Sequence, residues 1–198
     1  MFTAHVQPLE LLRPVVDEVS RAYISHLRAL VRERAALGNY AFELLVQPNG
    51  AVNPPPYSYV RVDAITLKPK TAILRVVADE KRAVEQTFRT PTGTTVSVRA
   101  LAWEACAIHI HDPNFDLHTI GPWLTKWLDP DETRAPDSNG LSSVIHGIAW
   151  QTNAEALVLQ VDFGSAPADA FFELLAVISE NGHKYIEVDT DEEAEDPP

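Results

Sequence analysis

The chain has 198 residues, 45% of them hydrophobic and 22% charged, which is enough to bury one substantial core. Its formal charge of −12 disfavours phosphate backbones and anionic lipid surfaces as partners, and no run approaches the ~18 apolar residues that a membrane helix needs. A single cysteine, Cys106, excludes an internal disulfide and a cysteine-based zinc cage, and residues 1–20 lack a signal-peptide pattern, so a reducing, cytoplasmic setting is expected.

The first expected element is a helix over residues 14–37, where Val16, Val19, Tyr23, Leu27 and Leu30 recur at steps of three and four. Its ends agree: Pro14 suits the first turn, Asp17 and Glu18 oppose the positive pole, Arg32 and Arg34 the negative one, and Gly38 can cap it. The period then falls to two. Residues 41–46, 57–65 and 71–77 read as strands of a small antiparallel meander, divided by Pro48-Asn49-Gly50 and by Asn53-Pro54-Pro55-Pro56. Pro54-Pro55-Pro56-Tyr57 matches a ligand pattern of WW domains, although Tyr57 is expected to open the next strand. Residues 83–93 read as the join to the second half, with a turn at Thr90-Pro91-Thr92-Gly93.

In the second half, residues 95–110 form a strand candidate, with a possible helix at 99–106. A short helix follows from Gly121-Pro122 to Leu128, then a hairpin of 144–151 and 156–163, a helix after Pro167 ended by Asn181-Gly182, and a strand at 185–188. The polar stretch 129–140 reads as an exposed loop within this half. The order β-α-β-β-α-β is that of a ferredoxin-like arrangement. The expected fold is therefore α+β: an N-terminal helix and small antiparallel meander (1–93) followed by a ferredoxin-like βαββαβ half (94–188) in one compact domain 1–188. An acidic tail, 189–198, is expected to be disordered because it carries six acids and almost nothing apolar.

Two sets of residues are candidates for chemistry. His109 and His111 share one strand face at a two-residue step, a spacing that offers two nitrogens to one metal. If the first and third strands of the second half are central and parallel, with the fourth antiparallel beside the first, Asp162 and His183 reach the same edge. A divalent transition metal such as zinc would then have four ligands and could activate water for hydrolysis; His118 is a spare. The commoner outcome for such residues is a set of strand-end histidines holding no cofactor. His146 alternates with Val144, Ile148 and Trp150 and reads as a hydrogen-bonded core histidine. Trp123 and Trp127, one turn apart on a helix too short to bury both, are expected at a surface that binds a partner or ligand.

No GxGxxG, GxxxxGK[ST] or GxSxG occurs, and Asp162-Phe163-Gly164 repeats the kinase metal-binding triplet without the accompanying catalytic loop. Cys106, among Ala105, Ala107 and Ile108, is expected to stay a thiol. The resulting expectation is a non-enzymatic cytoplasmic module that binds a protein partner with a basic surface, and neither nucleic acid nor membrane. Its size and acidity are those of an immunity or antitoxin protein, by analogy of properties. The alternatives are a metal-dependent hydrolase using the histidine-rich sheet edge and a ligand-sensing domain that pairs into a homodimer.

Overall fold

The computed structural model describes residues 6–48, 53–54, 56–66, 71–76 and 81–190. The chain enters through a two-residue strand β1 (Gln7–Pro8) and a 3-10 turn into helix α1 (Arg13–Ala35). The apolar stripe of α1 is buried along Val16, Val19, Tyr23, Leu27 and Val31, and Gly38, at φ +69, ends it in the left-handed conformation that glycine takes without strain. Strands β2 (Tyr40–Val46), β3 (Val60–Thr66) and β4 (Ala72–Leu74) pair in order as a three-stranded antiparallel sheet, the expected meander. The remaining elements are β5 (Arg82–Arg89), β6 (Thr95–Leu101), β7 (Cys106–Ile110), α2 (Gly121–Leu128), β8 (Gly147–Thr152), β9 (Leu157–Asp162), α3 (Ala168–Glu180) and β10 (Tyr185–Thr190).

Among the described residues, these strands and β1 form a seven-stranded sheet in the order β1-β5-β6-β10-β7-β9-β8. The fold is thus mixed α+β, with an N-terminal helix, a small antiparallel sheet and a larger mixed sheet. Cross-strand partners such as Ile186 with Ile110, Val188 with Ile108, and Ile108 with Leu159 place one apolar face of this sheet in register. That face forms one core with Phe171, Leu174, Leu175 and Ile178 of α3 and with the stripe of α1.

Several expectations change. Residues 95–110 are two strands that are not neighbours, because β10 lies between β6 and β7, parallel to the first and antiparallel to the second. The break falls at residues 102–105, where the Trp103 carbonyl accepts from Phe163 N–H (3.0 Å) and its indole stacks on the Phe163 ring at 4.6 Å. Residues 83–93 are mostly strand β5. Its largely exposed, polar side chains carry no period-two apolar signal, and Glu85 turns to φ +50 where the pairing with β6 shifts. Asp189 and Thr190, assigned by sequence to the tail, pair with Ala107 and Cys106 as the end of β10, and residues 191–198 lie outside the described residues.

The first and third strands of the second half, β7 and β9, are antiparallel, not parallel. Helix α2 carries the chain from β7 to β8 in one crossover, and such crossovers return a strand in the same direction. The tight β8–β9 connection reverses the chain, so β9, inserted between β7 and β8, must oppose both. Tyr57 lies in a turn before β3, with its hydroxyl donating to the Leu117 carbonyl (2.8 Å) and its ring edge-on to Trp150, so the side chain of the proline-tyrosine motif serves packing. Pro55 of that motif is outside the described residues.

Trp123 and Trp127 are both buried, at 3% and 6% exposure. A two-turn helix can bury the pair because α3 covers it on one side and Arg134, from the loop after α2, on the other. The Trp123 indole donates to the Ala170 carbonyl (2.9 Å), the Trp127 indole donates to Glu173 Oε2 (2.9 Å), and the Lys126 and Arg134 cations lie over the Trp127 ring. Glu173→Ala is expected to lower the unfolding free energy by about 1 kcal/mol, since one partly buried hydrogen bond is lost and the Lys126 ion pair beside it is exposed. Urea denaturation checks this, and a loss above about 3 kcal/mol would mean that α2 depends on Glu173 far more than these contacts allow.

Candidate functional site

A group of charged side chains converges where the small sheet meets the end of β9. His146, just before β8, is 1% exposed, its carbonyl accepts from Arg61 N–H of β3 (2.6 Å), and its N–H donates to the Asp162 carbonyl (2.8 Å). Its side chain is therefore fixed between the two sheets. Nε2 donates to Glu43 Oε1 at 3.0 Å, and Nδ1 stands 2.7 Å from Asp63 Oδ1, out of line with the ring N–H and hence chiefly an ionic contact. Asp162 Oδ2 is further away, at 3.9 Å.

Each carboxylate is placed by local structure. Glu43 lies within β2 at φ +47, an inverted position opposite Asp63 of β3, and the buried Arg61 guanidinium holds the turned Glu43 carbonyl by donating to it at 2.7 Å. Arg61 also donates to the carbonyls of Leu128 (2.8 Å) and Asp129 (2.6 Å), so one cation ties β2, β3 and the end of α2. Glu43 Oε2 accepts from Ser142 N–H at 2.5 Å. Asp63 Oδ2 accepts from Val76 N–H, and the Tyr23 hydroxyl of α1 stands 3.5 Å from its Oδ1. Asp162 Oδ1 accepts from Gly164 N–H at 2.9 Å. Gly164 sits at φ +50, so close that a β-carbon there would lie 2.2 Å from His146 Cδ2.

Burial by itself would discharge His146, yet the opposing charges of Asp162, Asp63 and Glu43 outweigh it and raise the imidazole from 6.5 to about 10. At neutral pH it is an imidazolium. Asp162 is pushed above the usual carboxylate range by desolvation, with Asp63 and Glu104 adding to the rise and His146 and the Gly164 N–H opposing it; water at its 38% exposed side chain limits the effect. Tyr23 is held as a neutral phenol by burial and by Asp162, Asp63 and Glu104.

Above this group lies a cleft of about 620 Å³ between β3–β4 and β8–β9. Val60, Val62, Val76 and Ile148 give it apolar lining, Asp63, Asp162 and Glu104 supply carboxylates, and Arg61, Arg75 and Lys81 supply cations. Set against protein-family models, curated proteins and solved structures, the chain matches none.

The residues expected to converge at the histidine-rich edge are only partly brought together. His109 faces Glu187 of β10 and Val158 of β9 in register, the His111 ring lies 5.0 Å from that of Tyr185, and His183 is 3.9 Å from Asp112 and 5.1 Å from the Phe115 ring. These three histidines do lie toward one end of the β7–β10 pair. Asp162 does not join them, because antiparallel β9 carries it four residues past Val158, about 13 Å along the strand. Among the described residues, no group of three or more His, Cys, Asp or Glu side chains is arranged to hold a metal ion. Cys106 is fully buried, its thiol pushed up by desolvation and then by Asp189.

Sequence reasoning placed His146 in the core but missed Glu43, Asp63 and Arg61. The available signal was charge inside apolar alternation: Glu43 between Phe42 and Leu44, and Arg61 and Asp63 flanking Val62. A charged residue at a strand position with apolar neighbours on both sides is buried with a partner or not at all. Among the described residues, no helix is long and apolar enough to cross a membrane.

Proposed function

We propose that the protein is a non-catalytic binding module that receives a cationic group of a protein partner in the cleft between its two sheets. The observation that carries this reading is the charge balance around His146. Three carboxylates face one imidazolium, and Glu43 and Asp63, at 3.0 and 2.7 Å, lie closer to it than Asp162 does at 3.9 Å. Asp162 is left at the cleft wall, partly exposed and incompletely neutralised, where a guest cation gains most. His146 is unsuited to acid–base catalysis on a guest, because both ring nitrogens already face carboxylates and the ring is closed off from solvent.

The net charge of −12 supports the same partner class by drawing basic surfaces toward the molecule, and it disfavours nucleic acid. In this reading the βαββαβ half is a ferredoxin-like scaffold and the protein acts in the cytoplasm, in the manner of an immunity or antitoxin protein. Affinity capture with the whole protein tests it. The expected result is a basic partner retained at low salt, released near 1 M salt where the screening length falls to about 3 Å, and lost with Asp162→Asn. Partner retention indifferent to both salt and Asp162→Asn would overturn the reading.

A further inference from the structure

We propose that the group received at Asp162 is a primary ammonium on an unbranched apolar stem, the chemistry of a lysine side chain, in preference to a guanidinium. This deepens the cation-receiving reading and rests on it. Two features of the cleft select between the two cations. The first is the acceptor. Asp162 Oδ1 already accepts the Gly164 N–H, and Oδ2 is turned toward His146. A guanidinium binds a carboxylate best through two parallel hydrogen bonds to both oxygens, whereas an ammonium is a compact charge with rotatable donors that is satisfied by one.

The second feature is the wall. Val60, Val62 and Val76 line the approach from β3 and the β4 end, an apolar wall suited to a tetramethylene stem. The charged and titratable groups around Asp162 and its cleft are His146 before β8, Arg61 and Asp63 on β3, Tyr23 on α1, Glu104 at the bend after β6, and Arg75 and Lys81 beyond β4. Asp63, Glu104 and Asp162 itself favour a cation there. Arg61, Arg75 and Lys81 are like charges that weaken ammonium and guanidinium alike, so the choice between the two rests on the acceptor and the apolar wall.

The test is an amide-shift NMR titration of the whole protein with three probes: N-acetyl-lysine N-methylamide, its arginine counterpart and its norleucine counterpart. The lysine probe is expected to give saturable shifts at Gly147, Ile148 and Asp162. The arginine probe should bind about tenfold more weakly or worse, and norleucine, which has the stem without the charge, should not saturate. Asp162→Asn should abolish lysine binding. Ala149→Phe, at an exposed β8 position that lines the cleft and pairs with Gln160, should abolish it by filling the cleft. Because the second variant leaves the charges intact, a folding defect in the first does not decide the matter. Equal binding of lysine and arginine, both lost with Asp162→Asn, would overturn the lysine assignment and leave the cation-receiving reading standing. Lysine binding that survives either variant would also overturn the assignment. No saturable shift with either cation would overturn the assignment and the reading together.

Discussion

His146→Leu is expected to lower the unfolding free energy by about 3–5 kcal/mol, because it removes the single cation between Glu43, Asp63 and Asp162 and leaves buried carboxylates facing one another. Leucine fills much of the volume of the imidazole, so the loss reports charge and hydrogen bonding more than a cavity. The pH dependence separates this from ordinary core damage. The folded imidazole titrates near 10 against 6.5 in the unfolded chain, so the folded state binds the extra proton more tightly. Its contribution is complete below 6.5, shrinks as the pH rises from there, and is gone by about 10. The gap between parent and variant should therefore be widest in mild acid and should narrow through alkaline pH. Asp162 acts in the same direction at lower pH: its folded value is raised from 3.8 to about 6, so the cost of keeping it ionised sets in as the pH rises through that window and is relieved as the pH falls back through it. Urea titrations of both proteins at several pH values provide the measurement. A gap independent of pH would show that His146 is neutral in the fold.

Gly164→Ala should also be severe, for two separable reasons. The residue sits at φ +50, where a β-carbon costs about 1–2 kcal/mol, and here that carbon would overlap the His146 ring at 2.2 Å, adding about 1–3 kcal/mol of overpacking. Gly38→Ala is the internal control. Gly38 has a similar φ of +69 with nothing within 4 Å of its added carbon, so it should show the backbone part alone. The difference between the two losses isolates the contact with His146. Equal losses would mean that the ring moves aside freely and that the cluster is less rigid than its hydrogen bonds imply.

Elements whose signal is local were legible in the sequence. The stripe and caps of α1, the meander, α2, the β8–β9 hairpin and α3 all follow from periodicity and turn residues, which short-range sterics and burial dictate. Pairings that depend on long-range competition were not. Nothing near Thr95 announces that Tyr185–Thr190 will separate it from Cys106–Ile110, and β5 lacks an apolar face to mark it. The metal-site expectation failed on direction: its histidines do lie toward one end of β7 and β10, but it required β9 to run parallel to β7. The His146 cluster stayed hidden because its members lie 16 to 119 residues apart, and because an inverted glutamate inside a strand has no sequence signature.

Helix α2 leads from β7 past β9 to β8, and α3 leads from β9 past β7 to β10, so the two crossovers interlock. In addition, β10 is the strand that joins β5–β6 to β7–β9–β8. A ribosome delivers these parts in order, and until residues 185–190 emerge, β6 and β7 each present an unpaired edge toward the gap that β10 will fill. The sheet cannot close before β10 emerges. Until then it waits as two incomplete leaves, exposed to misassociation, and closing with its last described strand makes folding slow, dominated by distant contacts and sensitive to any delay in the arrival of β10.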